Sequence, residues 1–179
     1  MITTSITAKK KTMSSQVKLI IGTSSKFRRI KDIAAKLGVK MPPRRGYCKV
    51  GHLSRIVGED VSIWCPSFDV HPTWSNTTPN NFDTITEQKN GEARDKFVKR
   101  MLNNTGKLNY NLNEIRLTFA KINGTYIFKG AYRMSSIDFD NRTVTFNRVK
   151  LLDDSLLVVN IVYSVTVTEI LKLSVQIVK

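Results

Sequence analysis

The chain has 179 residues and a mass of 20.3 kDa, with 41% hydrophobic and 24% charged residues. That is enough for one domain with its own core and rules out a wholly disordered chain, while two cysteines are too few for a disulfide framework. Its 29 Lys and Arg against 14 Asp and Glu leave +15, which a neutral small-molecule substrate does not call for and a phosphate-rich partner does.

The charge is concentrated at one end. Residues 1–58 carry 14 Lys and Arg and one acid, Asp32, a net of +13; residues 59–179 carry +2. Residues 1–15 read as a flexible basic arm, and 16–179 as a single α+β domain. No continuous apolar segment of secretory type opens the chain, so an intracellular setting is expected. Residues 17–21 are a short apolar run that suits a buried strand. Phe27, Ile30, Ile33, Ala34 and Leu37 recur at helical spacing before Gly38, with Ser24 or Ser25 as a cap. Lys26, Arg28, Arg29, Lys31 and Lys36 cover the rest of this helix. A basic loop around Pro42, Pro43, Arg44 and Arg45 follows, then a strand at 61–65. Residues 66–82 form a long polar loop with three prolines.

Residues 84–88 read as a strand and Asn90-Gly91 as a turn. Residues 92–104 read as a second helix with Phe97 and Met101 inside. Residues 115–122 and 125–133 flank Asn123-Gly124, a strong hairpin signal. Residues 143–149 make another strand. Residues 156–168 are β-branched and read as one strand or two. Asn160, Ser164 and Thr166 interrupt them, so a membrane span is not expected, nor is a membrane partner.

Four constellations carry chemistry. The segment IKDIAAKLGV (30–39) suits the first helix and turn of a helix-turn-helix. The prolines and glycines after it argue against a recognition helix. Cys48, His52, Cys65 and His71 are the only Cys and His of the chain. The set suits tetrahedral Zn²⁺, although its spacing is unlike that of a finger and Cys65 suits a core position. Asp69, Glu87 and Lys89 match the Asp…Glu-x-Lys arrangement in which two carboxylates hold Mg²⁺ and a lysine helps orient water. Finally, Tyr47, Trp64, Phe68, Trp74 and Phe82 gather in the middle third. Trp64 reads as core. Trp74, in a polar loop beside the basic third, is a candidate for base stacking.

Phe119-Ala120-Lys121, then Asn123 through Arg133, then Val144 to Val149 resemble the hairpin of PUA-like modules, which include the EVE and YTH relatives often joined to restriction nucleases. The resemblance implies a small β-barrel with flanking helices that binds RNA or modified DNA and cages one base between aromatic rings. Trp64 and Trp74 are the positions it would place in that cage.

The expected architecture is therefore α+β: a mostly antiparallel, barrel-like sheet with two packed helices. The expected function is non-catalytic binding of DNA or RNA through Lys26, Arg28, Arg29, Lys31, Arg44, Arg45, Lys49, Arg55 and Trp74. Binding of this kind needs no cofactor. The alternative is a Mg²⁺-dependent nuclease built on Asp69, Glu87 and Lys89. A partner-binding protein that offers its basic face to an acidic protein is a third possibility.

Overall fold

The computed structural model describes residues 11–22, 26–39, 46–51, 54, 59–149, 156–166 and 170–177. Strands dominate, and among the described residues two bounded helices pack on them: α1 (Ile30–Lys36) and α2 (Arg94–Met101). The strands are β1 (Lys11–Ile20), β2 (Lys26–Phe27), β3 (Tyr47–Lys49), β4 (Val61–Trp64), β5 (Trp74–Thr77), β6 (Thr84–Lys89), β7 (Ile115–Ile122), β8 (Thr125–Asp138), β9 (Thr143–Arg148), β10 (Leu156–Thr166) and β11 (Ile170–Ile177). The fold is α+β, as the sequence implies. The main sheet runs β3-β4-β7-β8-β9-β6-β5, with β2 added against β8, and β4–β7 is its parallel pairing. β1, β10 and β11 form a second, antiparallel sheet.

Period-2 alternation divides the main sheet between two cores. On β4, Val61, Ile63 and the following Cys65 join Ile33 of α1 and its C-cap Leu37 with Phe119 and Phe128. Trp64 points the other way and joins Phe97 and Met101 of α2 with Ile85, Tyr132 and Phe146. Both faces are covered, so β4 is buried at every position. The burial of Phe119, Phe128, Phe97 and Phe146 is the main source of stability, at about 3–5 kcal/mol for each ring lost to alanine.

Local chemistry accounts for the joints. Asn123 and Gly124, at φ +48° and +75°, close the β7–β8 hairpin in the left-handed region its tight turn needs. Asp69 accepts hydrogen bonds from both of their backbone N–H groups, at 2.7 and 3.0 Å. In β8 the register shifts opposite Thr118 and Phe119, and Gly130 there has φ +115°. This bulge bends the sheet.

The structure corrects several expectations. The barrel is not closed, because β3 and β5 end the strand order without pairing to each other. The expected loop at 66–82 contains a strand: Trp74 opens β5 and lies opposite Lys89 of β6. Strand β1 begins at Lys11, within the segment read as an arm. Helix α1 starts only at Ile30, since Lys26 and Phe27 pair with β8. Its N-cap, Arg29, makes no capping side-chain bond and instead grips Asp32 at 3.1 Å; Ser24 and Ser25 lie outside the described residues. Where a helix-turn-helix needs its recognition helix, residues 47–49 form β3. Among the described residues no helix is long and apolar enough to cross a membrane.

Candidate nucleic-acid interface

The curled sheet brings its two ends toward each other on the α2 face. Between them lies a cavity of about 520 Å³, within the roughly 300–1,000 Å³ usual for ligand sites. Tyr47 of β3 and Trp64 of β4 line one side, Trp74 of β5 and Glu87 of β6 the other. Arg100 of α2 and Arg116 of β7 complete the polar wall.

Strand phase explains who points in. Trp74 and Asn76 alternate with exposed Ser75 and Thr77. Glu87 is in phase with Ile85, a residue of the α2-side core. Arg116 lies opposite in phase to Leu117 and Phe119, which face α1. Trp64 is buried and packs against Phe146 with ring centroids 4.6 Å apart and planes tilted by 47°, so it forms the cavity floor. Trp74 is half-buried, with the Arg100 guanidinium 5.2 Å from its ring and the Lys89 ammonium at 6.0 Å. Each cation is drawn to the indole face.

The charges are arranged in dedicated pairs. Arg100 is clamped by Glu92 through three hydrogen bonds of 2.8–3.2 Å. Arg116 Nε donates to Glu114 Oε2 at 3.1 Å, and Tyr47 Oη donates to the other oxygen of the same carboxylate. Glu114 and Arg116 are both buried. Burial, then the bond to Glu114, holds the Tyr47 phenol well above its usual range. Glu87 borders the cavity but is otherwise enclosed by protein. That burial raises its pKa, opposed by the charges of Arg116 and Arg100 and by a hydrogen bond from Trp64. Neither arginine closes on Glu87, because each already has its own carboxylate.

The sequence candidates distribute unevenly over this geometry. Trp64, Trp74 and Glu87 meet in the cavity. Asp69 does not line it; its carboxylate holds the hairpin turn and lies 3.5 Å from Lys121 Nζ. The Lys89 ammonium lies 3.7 Å from Glu92. Cys65 packs in the α1-side core, where burial pushes its thiol up to about 12. Cys48 is on β3, and His71 sits at the cavity rim with Nδ1 accepting from the Thr73 and Trp74 N–H groups. His52 lies outside the described residues. Among the described residues, no three His, Cys, Asp or Glu side chains gather as a metal site requires.

Lys26, Arg28, Arg29 and Lys31 are exposed on β2, α1 and the turn between them, across the sheet from the cavity. Lys49 shares the Tyr47 face of β3 and pairs with Asp60 at 3.2 Å. Arg44, Arg45 and Arg55 lie outside the described residues. Sequence reasoning missed Glu114, Arg116 and Arg100. No local signal marks them: alternation sets Arg116 out of phase with the core residues Leu117 and Phe119, as for a solvent-facing residue, and its burial comes from distant strands.

A family model described as the SET and RING associated (SRA) domain matches residues 14–151. Comparison with curated proteins gives no match. Among solved structures, the 5-hydroxymethylcytosine-specific restriction enzyme AbaSI is similar, with a TM-score of 0.55 and 20% identity over 75% of this chain and 41% of that one. The chain thus spans about two fifths of that enzyme's length, and the likeness is one of fold. The family match covers more than half of the sequence and includes both cores and every wall of the cavity, so the chain belongs to the SRA domain family.

Proposed function

We propose that this domain binds DNA and holds a single extruded base, a modified cytosine, in the cavity between Tyr47, Trp64 and Trp74. As an SRA domain the chain is a nucleic-acid-binding module, the class that the resemblance to PUA-like modules also implied. The observation that carries the finer reading is the convergence of both tryptophans of the chain on one cavity with a carboxyl group in its wall. An extruded base needs flat apolar surfaces on its faces and a few polar groups on its edge. Glu87 can accept a hydrogen bond from the exocyclic amine that distinguishes cytosine from thymine. AbaSI is described as specific for 5-hydroxymethylcytosine, a modified cytosine, which agrees with this choice. The domain acts here as a reader without cleavage, since Asp69 is committed to a turn and lies outside the cavity lining.

The test compares short duplexes that differ at one cytosine: unmodified, 5-methyl and 5-hydroxymethyl. A 2-aminopurine next to that position reports unstacking by its fluorescence. A modified duplex is expected to bind more tightly, with a rise in fluorescence, and Trp74→Ala should cost about 1–3 kcal/mol of that affinity. Equal affinity for all three duplexes with no rise in fluorescence would remove the extruded-base reading. The same mixtures with Mg²⁺ should leave the duplex intact.

A further inference from the structure

We infer that Arg116 is a specificity-determining residue of the cavity: its free guanidinium N–H groups donate to the ring carbonyl of the extruded base, opposite the exocyclic amine taken by Glu87. This rests on the extruded-base reading and adds the second half of the recognition edge.

The Arg116 side chain is largely buried and its guanidinium only partly bonded. Its side chain is just 7% exposed. Its face is covered by Phe146 at 4.5 Å, with Tyr47 at 5.3 Å and Trp64 at 5.4 Å. Its Nε is spent on Glu114. The two Nη nitrogens make no hydrogen bond to another described residue, and Arg116 lines the cavity. A buried arginine normally satisfies all five donors, because each unmade bond in a dry site costs free energy. Here the remaining donors are left at the cavity wall.

Glu87 is the complement of this cation. The charge of Arg116 acts on Glu87, yet no hydrogen bond or ion pair joins them. Glu114 anchors Arg116 as Glu92 anchors Arg100, so the obvious collapse of cation onto carboxylate is forestalled. A donor group and a carboxyl group are thus held apart beside one aromatic-lined space. A cytosine-type base offers the matching pair on one molecule, an amine donor and a carbonyl acceptor. A thymine would set a carbonyl where the amine belongs and meet the Glu87 oxygens.

The experiment uses the whole chain and three probes. Each is the same short duplex with one variable residue: 5-methylcytosine; 5-methylpyrimidin-2-one, which lacks the amine; or the 2-amino-3-methylpyridin-5-yl C-nucleoside, which keeps the methyl, the amine and the adjacent ring nitrogen but has no carbonyl. Wild-type protein is expected to bind the carbonyl-free probe about tenfold or more weakly than 5-methylcytosine, the scale of one hydrogen bond to a charged group. Arg116→Met should lose a similar factor on 5-methylcytosine and almost nothing further on the carbonyl-free probe, while still discriminating the amine-free probe. Because Arg116→Met strands Glu114, Glu114→Gln/Arg116→Met serves as the neutral companion, and it should show the same pattern. Equal wild-type affinity for 5-methylcytosine and the carbonyl-free probe, with 2-aminopurine still reporting extrusion, would overturn the role of Arg116 alone, and needs no variant to fold. Loss of the extrusion signal on every probe would overturn it together with the reading on which it rests.

Discussion

Two carboxylates, Asp69 and Glu87, shift in opposite directions for identifiable reasons. The Asp69 carboxyl is held below its usual range, first by the Gly124 N–H, then by the Asn123 N–H and Lys121, with partial burial opposing. Its stabilising contribution is complete above the ordinary carboxylate pKa and is lost as pH falls through the lowered folded value. Asp69→Ala should therefore lower the melting temperature at neutral pH by a few degrees. The deficit should shrink in acid, where the wild-type group is protonated too, and DNA affinity should be unchanged. Thermal unfolding followed across pH checks this. For Glu87, burial raises the pKa, so the folded state keeps its proton to higher pH than the unfolded chain. The stability linked to that proton is complete below the ordinary carboxylate pKa and is lost as pH rises through the raised folded value. Glu87→Gln carries no such loss. Denaturant unfolding should show the variant gaining on wild type as pH rises from the ordinary carboxylate range through the raised folded value, while its preference for a cytosine-type base over a thymine-type one falls.

The elements place these residues through strand phase and one bulge. Glu87 reaches the cavity because it keeps step with Ile85, and Trp74 because β5 pairs with β6. The bulge at Gly130 lets β8 serve both sides, with Phe128 facing α1 and Tyr132 facing α2. A Cβ at Gly130 would meet Arg148 Cδ at 3.1 Å and Ile21 Cδ1 at 3.4 Å, with φ at +115°. The neighbouring side chains could yield, but the backbone angle could not relax without straightening the strand. Gly130→Ala should cost about 1–3 kcal/mol in a urea titration. It should also weaken selective binding, because β7, β8 and β9 carry Arg116, Met134 and Phe146 into the cavity.

At the scale of the whole molecule, four exposed basic side chains and the cavity lie on opposite sides of the main sheet. The cavity belongs to the α2 face, and Lys26, Arg28, Arg29 and Lys31 surround α1 on the other. Phosphate contacts give salt-dependent affinity without sequence information, and base contacts give discrimination. Neutralising these four residues together should lower the slope of log affinity against log salt by roughly 0.9 for each phosphate left without its cation. It should leave the ratio of modified to unmodified affinity unchanged. Trp74→Ala should do the reverse. Titrations at several salt concentrations on both duplexes separate the two, and a changed ratio in the basic variant would contradict the division.

Local rules were sufficient for the α+β class, the hairpin at Asn123-Gly124, the helices near 30–36 and 94–101, and the burial of Trp64. Each depends on neighbours in the chain: a turn type, a helical period or an apolar run. The net +15 likewise pointed to nucleic acid without any structure. Tertiary structure alone decided what the polar residues do. Asp69 and Glu87 look alike in sequence, but a hairpin tip 54 residues away claims the first and the curl of the sheet seals in the second. Trp74 read as a loop residue because β5 is only four residues long and its partner strand supplies its order. Arg116 lies in IRLTF, where alternation alone suggests solvent; it is buried because β9 and β4 bring Phe146 and Trp64 over it. Strand order and curvature are non-local quantities, set by which distant segments pair, and the cavity is made by them.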